Sequence, residues 1–336
     1  MELTYIGEAG GIEEGLARTA GIPFESLTSG QIRGRSPLGV ARSIGRMLRG
    51  MRQCSALIRA QRPAAVFITG GYVTAPLALA AWRAHVPILI YLPDLTPGLA
   101  IKWLSRLARR VAVSFPEVIP YFGQKAVVTG YPVRSELLNA DRAAARTALG
   151  LDAGPGALPV VLVFGGSRGA RSINQATTEA LPRLLAECQL IHVSGQLDWS
   201  DVSAAADQLP ARLRARYHAY PYLHKEMLQA LVAADIAVAR AGASTLGEFP
   251  AVSLPSVLVP YPYAGQHQHA NADYLVNHGA AVIVEDGDLS ARLASVVLEL
   301  LHATEKRKQM ARAAYSLARP DAAANIARLI FEMAGR

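Results

Sequence analysis

Residues 160–174 read VVLVFGGSRGARSIN, an apolar run that passes directly into a Gly-Gly-Ser turn and then a helical start. A short continuous Val/Leu run bounded by glycine is how a buried parallel strand reads. Gly165 and Gly166 let the backbone turn sharply and come close to a ligand. Ser167, Arg168 and Gly169 then place N–H groups at a helix N-terminus, where the dipole favours an anion. Strand, glycine turn and helix together predict one unit of an α/β fold and a cradle for a diphosphate. The same turn also serves strand–helix junctions that bind nothing, so the remainder of the chain has to decide.

Working outward, the same alternation recurs. ELTYIG, AAVFITG, PILIYLP, VAVSFP and KAVVTG punctuate the first half, and PVVLVFGG, QLIHVSG, IAVARAG, PSVLVPY and AAVIVED the second. Apolar runs separated by helical patterns predict two Rossmann-like, doubly wound parallel-sheet domains. The Gly/Pro-rich passage LDAGPGALP at 151–159 predicts a boundary near residue 150. The expected organisation is an N-terminal domain over 1–150, a second over 151–319, and a C-terminal helix over 320–336 that packs back on the first. Ligands of such folds sit at the carboxyl ends of strands, here in a cleft between facing domains.

The chain has 336 residues, half of them hydrophobic, enough for two cores. Cys54 and Cys188 are the only cysteines, which excludes a disulfide framework and a Cys-based metal site and fits a reducing compartment. No run reaches the roughly 18 apolar residues of a membrane span, and the N-terminus lacks signal-peptide character. The net charge of +8 is unevenly placed: residues 1–140 hold 16 basic and 8 acidic residues, and 141–336 hold 18 of each. Between Glu25 and Asp94 no acid occurs, while Arg42, Arg46 and Arg49 alternate with Ile44, Met47, Leu48 and Met51. That pattern predicts a basic amphipathic helix suited to an anionic membrane surface, or a solvated face over an ordinary core contact. Nucleic acid ranks last, since no helix-turn-helix, zinc or RNP-like pattern accompanies the charge.

Two further clusters follow predicted strands. In RAGASTLGE, residues 240–248, Arg240 and Gly242 open the segment, Gly242 allows a tight backbone approach, and Glu248 offers a carboxylate to a ribose diol. PYPYAGQHQHANA, residues 260–272, brings His267, Gln268 and Asn271, neutral donors and acceptors that suit a sugar. No third ligand at motif spacing makes a zinc site of these histidines. FGGSRGARS also departs from the GxGxxG dinucleotide fingerprint, which argues against a dehydrogenase.

In order and spacing, GGYVTAP, GYPVR, FGGSRGARSIN, RAGASTLGE and GQHQHANA resemble the MurG family of family 28 glycosyltransferases over nearly the whole chain. The resemblance implies a GT-B fold and inverting transfer of GlcNAc from UDP-GlcNAc to undecaprenyl-diphospho-MurNAc-pentapeptide, at the cytoplasmic face of the membrane. It implies that Ser167, Arg168, Gly169 and Arg134 face the donor diphosphate side. Glu248 would hold the ribose, and His267, Gln268 and Asn271 would read the GlcNAc. Gly70, Gly71, Tyr72 and Thr74 would line the acceptor side. The basic helix with Trp82 would be the membrane patch of a peripheral protein. UDP-GlcNAc is then a substrate; no cofactor is implied, and metal assistance to UDP departure stays open.

Two departures from the family pattern stand out. The opening strand with its GGTGGH loop has no counterpart, since MELTYIG aligns with the family's second strand; either the true start lies upstream of this Met, or a central strand is lost, which predicts unpaired sheet edges. Where the family has His-Glu-Gln-Asn after its fourth strand, this chain has Tyr91-Leu92-Pro93-Asp94. Asp94 is a candidate general base, or equally a turn or helix-capping residue in PDLTPG. Related transferases with another lipid or polysaccharide acceptor, and a non-catalytic UDP-sugar binder, are the alternatives.

Overall fold

The computed structural model describes residues 2–27, 37–70, 74–166, 169–263 and 267–335, with residues 12 and 37–48 described by their backbone. Two compact units emerge, Met1–Thr129 with Ala324–Arg336, and Gly130–Ala323. All strand pairs among the described residues are parallel. Parallel strands need crossover connections, and helices supply them throughout.

The first unit contains β1 (Tyr5–Glu8), β2 (Phe24–Leu27), β3 (Val66–Ile68), β4 (Ile88–Leu92), β5 (Arg110–Val113) and β6 (Ala126–Val128). The missing counterpart of the family's opening strand predicts unpaired sheet edges, and β1–β2 form a two-stranded ladder separate from the four-stranded β3–β4–β5–β6. Tyr5 in β1 and Phe67 in β3 are both exposed, as strand residues beside an open edge are. β4 is buried along its whole length, and the helix Ala322–Met333 covers one face of this sheet. Ile326 and Met333 join Leu89, Tyr91 and Ala112 in one cluster, with Leu329 and Ile330 packed against it.

The second unit contains β7 (Val160–Phe164), β8 (Gln189–Val193), β9 (Tyr217–Tyr220), β10 (Ile236–Ala239), β11 (Ser256–Leu258) and β12 (Ala281–Ile283), in the spatial order β12-β11-β10-β7-β8-β9. The chain runs outward from β7 to β9, returns to pair β10 with β7, and runs outward the other way. The carboxyl ends of β7 and β10 therefore form the topological switch point, the place where open α/β sheets leave a crevice for ligands. Burial fixes this arrangement: Val161 and Val163 of β7 are enclosed, and Leu181, Leu184 and Leu185 of the helix Arg171–Glu187 share one buried cluster with them. Each such side chain contributes about 1.5–3 kcal/mol by leaving water.

The boundary falls at residues 129–130 rather than near 150. The helix Arg142–Ala148, capped by Asp141, whose Oδ1 accepts from Ala144 N at 2.7 Å, is anchored in the second unit by two arginines. Arg142 Nε and Arg146 Nε donate to the carbonyls of Val232 and Ala233, the last residues of the helix Glu226–Ala233. Both guanidinium groups also pair with Asp235, which accepts from Val160 N at 2.8 Å. Cations at a helix C-terminus satisfy its open carbonyls and its dipole together. LDAGPGALP is accordingly a loop inside the second unit. β2 and β9 have no counterpart among the apolar runs of the sequence, because each ends a ladder and carries polar residues, FESL and YHAY.

Candidate active site

At the end of β7 the glycines do what their spacing predicts, each for its own reason. A Cβ on Gly165 would lie 2.2 Å from Ala170 N, so the turn folds back on itself there. Gly166 and Gly169 have φ of 88° and 78°, the left-handed region that favours glycine, and a Cβ on Gly169 would stand 2.2 Å from the carbonyl oxygen of Ser194. Gly169 N donates to Gly166 O at 3.0 Å. Its amide thus closes the turn, a bond that the sequence reading of a free N–H did not include. Ala170 supplies no side-chain cap to the helix Arg171–Glu187, and a helix N-terminus of this kind suits an anion. Ser167 and Arg168 lie outside the described residues.

The end of β10 brings Arg240, Gly242 and Glu248 to the same edge. Arg240 is held on every side: it pairs with Asp286 at 2.5 Å, donates to Ser172 Oγ at 2.8 Å and to the carbonyls of Val259 and Pro260, and lies 5.3 Å over the Tyr261 ring. Ser172 Oγ passes its own hydrogen to Asp286 at 2.7 Å. Arg240 therefore knots the ends of β10 and β11 to the start of the helix after β7. Gly242 has open space where a Cβ would project and no left-handed φ, so no group among the described residues demands glycine there.

Arg134 of GYPVR and Glu248 of RAGASTLGE, 114 residues apart, meet at 3.2 Å. Gly247, which sequence reasoning passed over, makes this possible. A Cβ there would stand 2.2 Å from the Tyr131 ring, so only glycine lets Tyr131 lie against the helix Thr245–Ala251 and deliver Arg134 to Glu248. Burial pushes the Glu248 carboxyl above its ordinary range, and Arg134 draws it back in part.

The third segment is anchored through two of its amide side chains. Asn271 is buried and donates through Nδ2 to Ala241 O at 3.1 Å, while Gln268 Oε1 accepts from Tyr261 N at 2.9 Å. Both tie the loop after β11 to its neighbours. His267 opens the helix His267–Asn277 and is exposed. Among the described residues no three His, Cys, Asp or Glu side chains gather as metal ligands would.

In the first unit, Gly70, with φ 125°, follows β3, and Thr74 is buried at the start of the helix Thr74–Arg83. Gly71 and Tyr72 lie outside the described residues. Asp94, partly exposed, follows β4 by two residues and is already engaged by neighbouring groups. The segment carrying Arg42, Ile44, Arg46, Met47 and Leu48 is helical within Pro37–Gln61, its side chains outside the described set. Arg49 is exposed on that helix, Met51 is half-buried and accepts from Arg83 Nη1 through Sδ at 3.3 Å, and Cys54 and Ile58 face inward. Trp82 is 53% exposed, and it is joined by Leu99 and Trp103 at 77% and 68% on the helix Leu99–Leu104, with Arg106 stacked 4.6 Å over the Trp103 ring. Sequence reasoning did not place Leu99 and Trp103 here; their four-residue spacing beside Lys102 was the available signal. Among the described residues no helix is long and apolar enough to cross a membrane.

Two parallel-sheet units and a glycine turn at a switch point define an α/β protein of the GT-B class. Residues 1–113 match the glycosyltransferase family 28 N-terminal domain and 160–326 the family 28 C-terminal domain. A Roseiflexus sp. (strain RS-1) protein named UDP-N-acetylglucosamine--N-acetylmuramyl-(pentapeptide) pyrophosphoryl-undecaprenol N-acetylglucosamine transferase is 44% identical over 97% of this chain and 82% of its own. The protein of that name from Desulforamulus reducens is 36% identical over 98% and 90%. The crystal structure of Acinetobacter baumannii MurG superposes with a TM-score of 0.76 at 26% identity, covering 98% of this chain and 91% of that one. This chain belongs to glycosyltransferase family 28.

Proposed function

We propose that this protein transfers GlcNAc from UDP-GlcNAc to a polyprenyl-diphosphate-linked MurNAc-pentapeptide, with inversion at the sugar, in peptidoglycan synthesis. The observation that carries the reading is the switch point of the second unit, where the first turn of the helix Arg171–Glu187 and the Arg134–Glu248 pair share one sheet edge. The relatives' names supply the substrates. In the reaction the C1–O bond to UDP breaks, an acceptor hydroxyl oxygen bonds to C1 from the opposite face, and the hydroxyl proton passes to a base. The helix N-terminus stabilises the negative charge that develops on the departing diphosphate. Glu248 accepts hydrogen bonds from the ribose diol, Arg134 lies on the donor side, and Arg240, Gln268 and Asn271 hold the loops that enclose the sugar. Asp94, at a strand end of the acceptor unit, is the base.

The exposed Trp82, Leu99 and Trp103, with the basic helix Pro37–Gln61, support peripheral association with an anionic membrane on its cytoplasmic side. The experiment is transfer of labelled GlcNAc from UDP-GlcNAc to a lipid-linked MurNAc-pentapeptide, with the anomeric configuration of the product read by NMR. A β-linked disaccharide-lipid is expected, and full turnover by Asp94→Asn would remove Asp94 from the role of base. UDP-GlcNAc binding with no product on any muramyl acceptor would overturn the transferase assignment.

A further inference from the structure

A chain of buried polar side chains leads away from the glycine turn into the core of the second unit. Asn174, in the first turn of the helix Arg171–Glu187, donates from Nδ2 to Ser194 O and to Asp198 Oδ2, both at 2.8 Å. Its Oδ1 lies 3.0 Å from His192 Nε2, and His192 Nδ1 lies 2.8 Å from the Tyr217 hydroxyl. With the amide nitrogen of Asn174 committed as donor, its oxygen accepts, so His192 carries its hydrogen on Nε2 and accepts the Tyr217 hydroxyl hydrogen on Nδ1. Burial keeps the imidazole neutral, its pKa pushed down to about 4, so this single direction of hydrogen bonding persists across the working pH range. Asn174, His192 and Tyr217 are all enclosed. Hydrogen bonds of this kind are strong in a low-dielectric interior and costly to leave unmade.

The end of the chain nearest the turn is informative. Ser194 O, which Asn174 grips, is the atom that a Cβ on Gly169 would strike. The glycine turn thus rests on a carbonyl whose position this network sets, and Asn174 belongs to the first turn of the helix that follows it. We infer that Asp198, Asn174, His192 and Tyr217 are positioning residues that fix the turn and the first turn of its helix in the geometry a diphosphate requires. The inference rests on the donor reading above and assigns these four residues a part in it. A network serving only to join helix to sheet would affect stability without distinguishing one part of the ligand from another.

The discriminating measurement compares ligands that differ only in the diphosphate. Calorimetric titration of the full chain with UDP and with uridine, for wild type, Asn174→Ala and Tyr217→Phe, is paired with kcat and KM for UDP-GlcNAc and with circular-dichroism melts. Asn174→Ala is expected to raise the Kd of UDP roughly tenfold with uridine changed by less than about twofold, and KM is expected to rise more than kcat falls. Tyr217→Phe, which removes one hydroxyl and keeps the ring, is expected to weaken UDP by about two- to threefold in the same selective way. It decides the matter alone should Asn174→Ala not fold. Equal losses for UDP and uridine, or unchanged UDP affinity in a folded variant, would overturn the inference while leaving the donor reading intact. Wild-type protein that binds no UDP would overturn both.

Discussion

Glu248 is a carboxylate whose site favours its neutral form. Burial raises its pKa above 4.5, and the half-exposed Arg134 offsets only part of that. For an acid whose folded pKa lies above its unfolded value, the native state holds the proton more tightly, so stability is greatest below the unfolded pKa and falls as pH rises through the folded one. Ionised Glu248 is therefore a cost to the free protein at neutral pH, retained for its ligand. Glu248→Gln is expected to raise the Tm by about one to three degrees at neutral pH and to flatten the pH dependence just above 4.5. UDP affinity is expected to fall roughly tenfold, as lost charge-assisted hydrogen bonds to a diol would cause. A lower Tm combined with unchanged UDP affinity would refute this account. At this scale the sequence made Glu248 and Arg134 legible as separate candidates, each at a plausible strand end. Their contact was not legible, because it depends on Tyr131 lying where Gly247 has no side chain, a steric fact spread over two distant segments. For Gln268 and Asn271 the residue types suggested sugar contacts, and what was not legible is that Asn271, buried, donates to Ala241 O while the Oε1 of Gln268 accepts from Tyr261 N.

Among the elements, the two strand-end glycines make opposite predictions from one kind of sequence signal. Gly169 combines a left-handed φ with a Cβ position inside the Ser194 carbonyl, whereas Gly242 has neither constraint. Gly169→Ala is expected to destabilise the protein by about 2–4 kcal/mol through strain and forced movement of the turn, and to abolish UDP binding with it. Gly242→Ala is expected to leave the Tm within about two degrees of wild type, so any loss of UDP affinity there reports a ligand close to the backbone. Equal melting temperatures for the two variants would contradict the geometry described. Most strands announce themselves because a buried parallel strand is an uninterrupted apolar run, as VVLVF and ILIYL are. β2 and β9 do not, since a strand paired on one side only tolerates Glu, Ser and His. The division of the first unit's sheet followed from an alignment of MELTYIG to a second strand, and no local propensity would have revealed it.

For the whole molecule the telling quantity is the placement of charge. The entire excess of +8 resides in residues 1–140, and the same region exposes Trp82, Leu99 and Trp103 to solvent. Amphipathic aromatic side chains rest at the headgroup level of a bilayer, and each nearby Lys or Arg adds about 1 kcal/mol of attraction to an anionic surface within a Debye length. Neither contribution alone anchors a protein, and the combination is reversible and sensitive to salt. Sedimentation with vesicles containing phosphatidylglycerol, against pure phosphatidylcholine, tests this directly. Binding is expected to the anionic vesicles only, and to drop several-fold in about 0.5 M salt. The double variant Trp82→Ala, Trp103→Ala is expected to lose binding roughly tenfold at constant charge, since each indole withdraws a large apolar area from water. Its turnover on a water-soluble acceptor is expected to remain that of wild type, because both rings point to solvent rather than into the fold. Equal binding to neutral and anionic vesicles would assign the charge asymmetry to some partner other than lipid. Loss of turnover on the soluble acceptor would instead move these tryptophans from the membrane surface to the acceptor site.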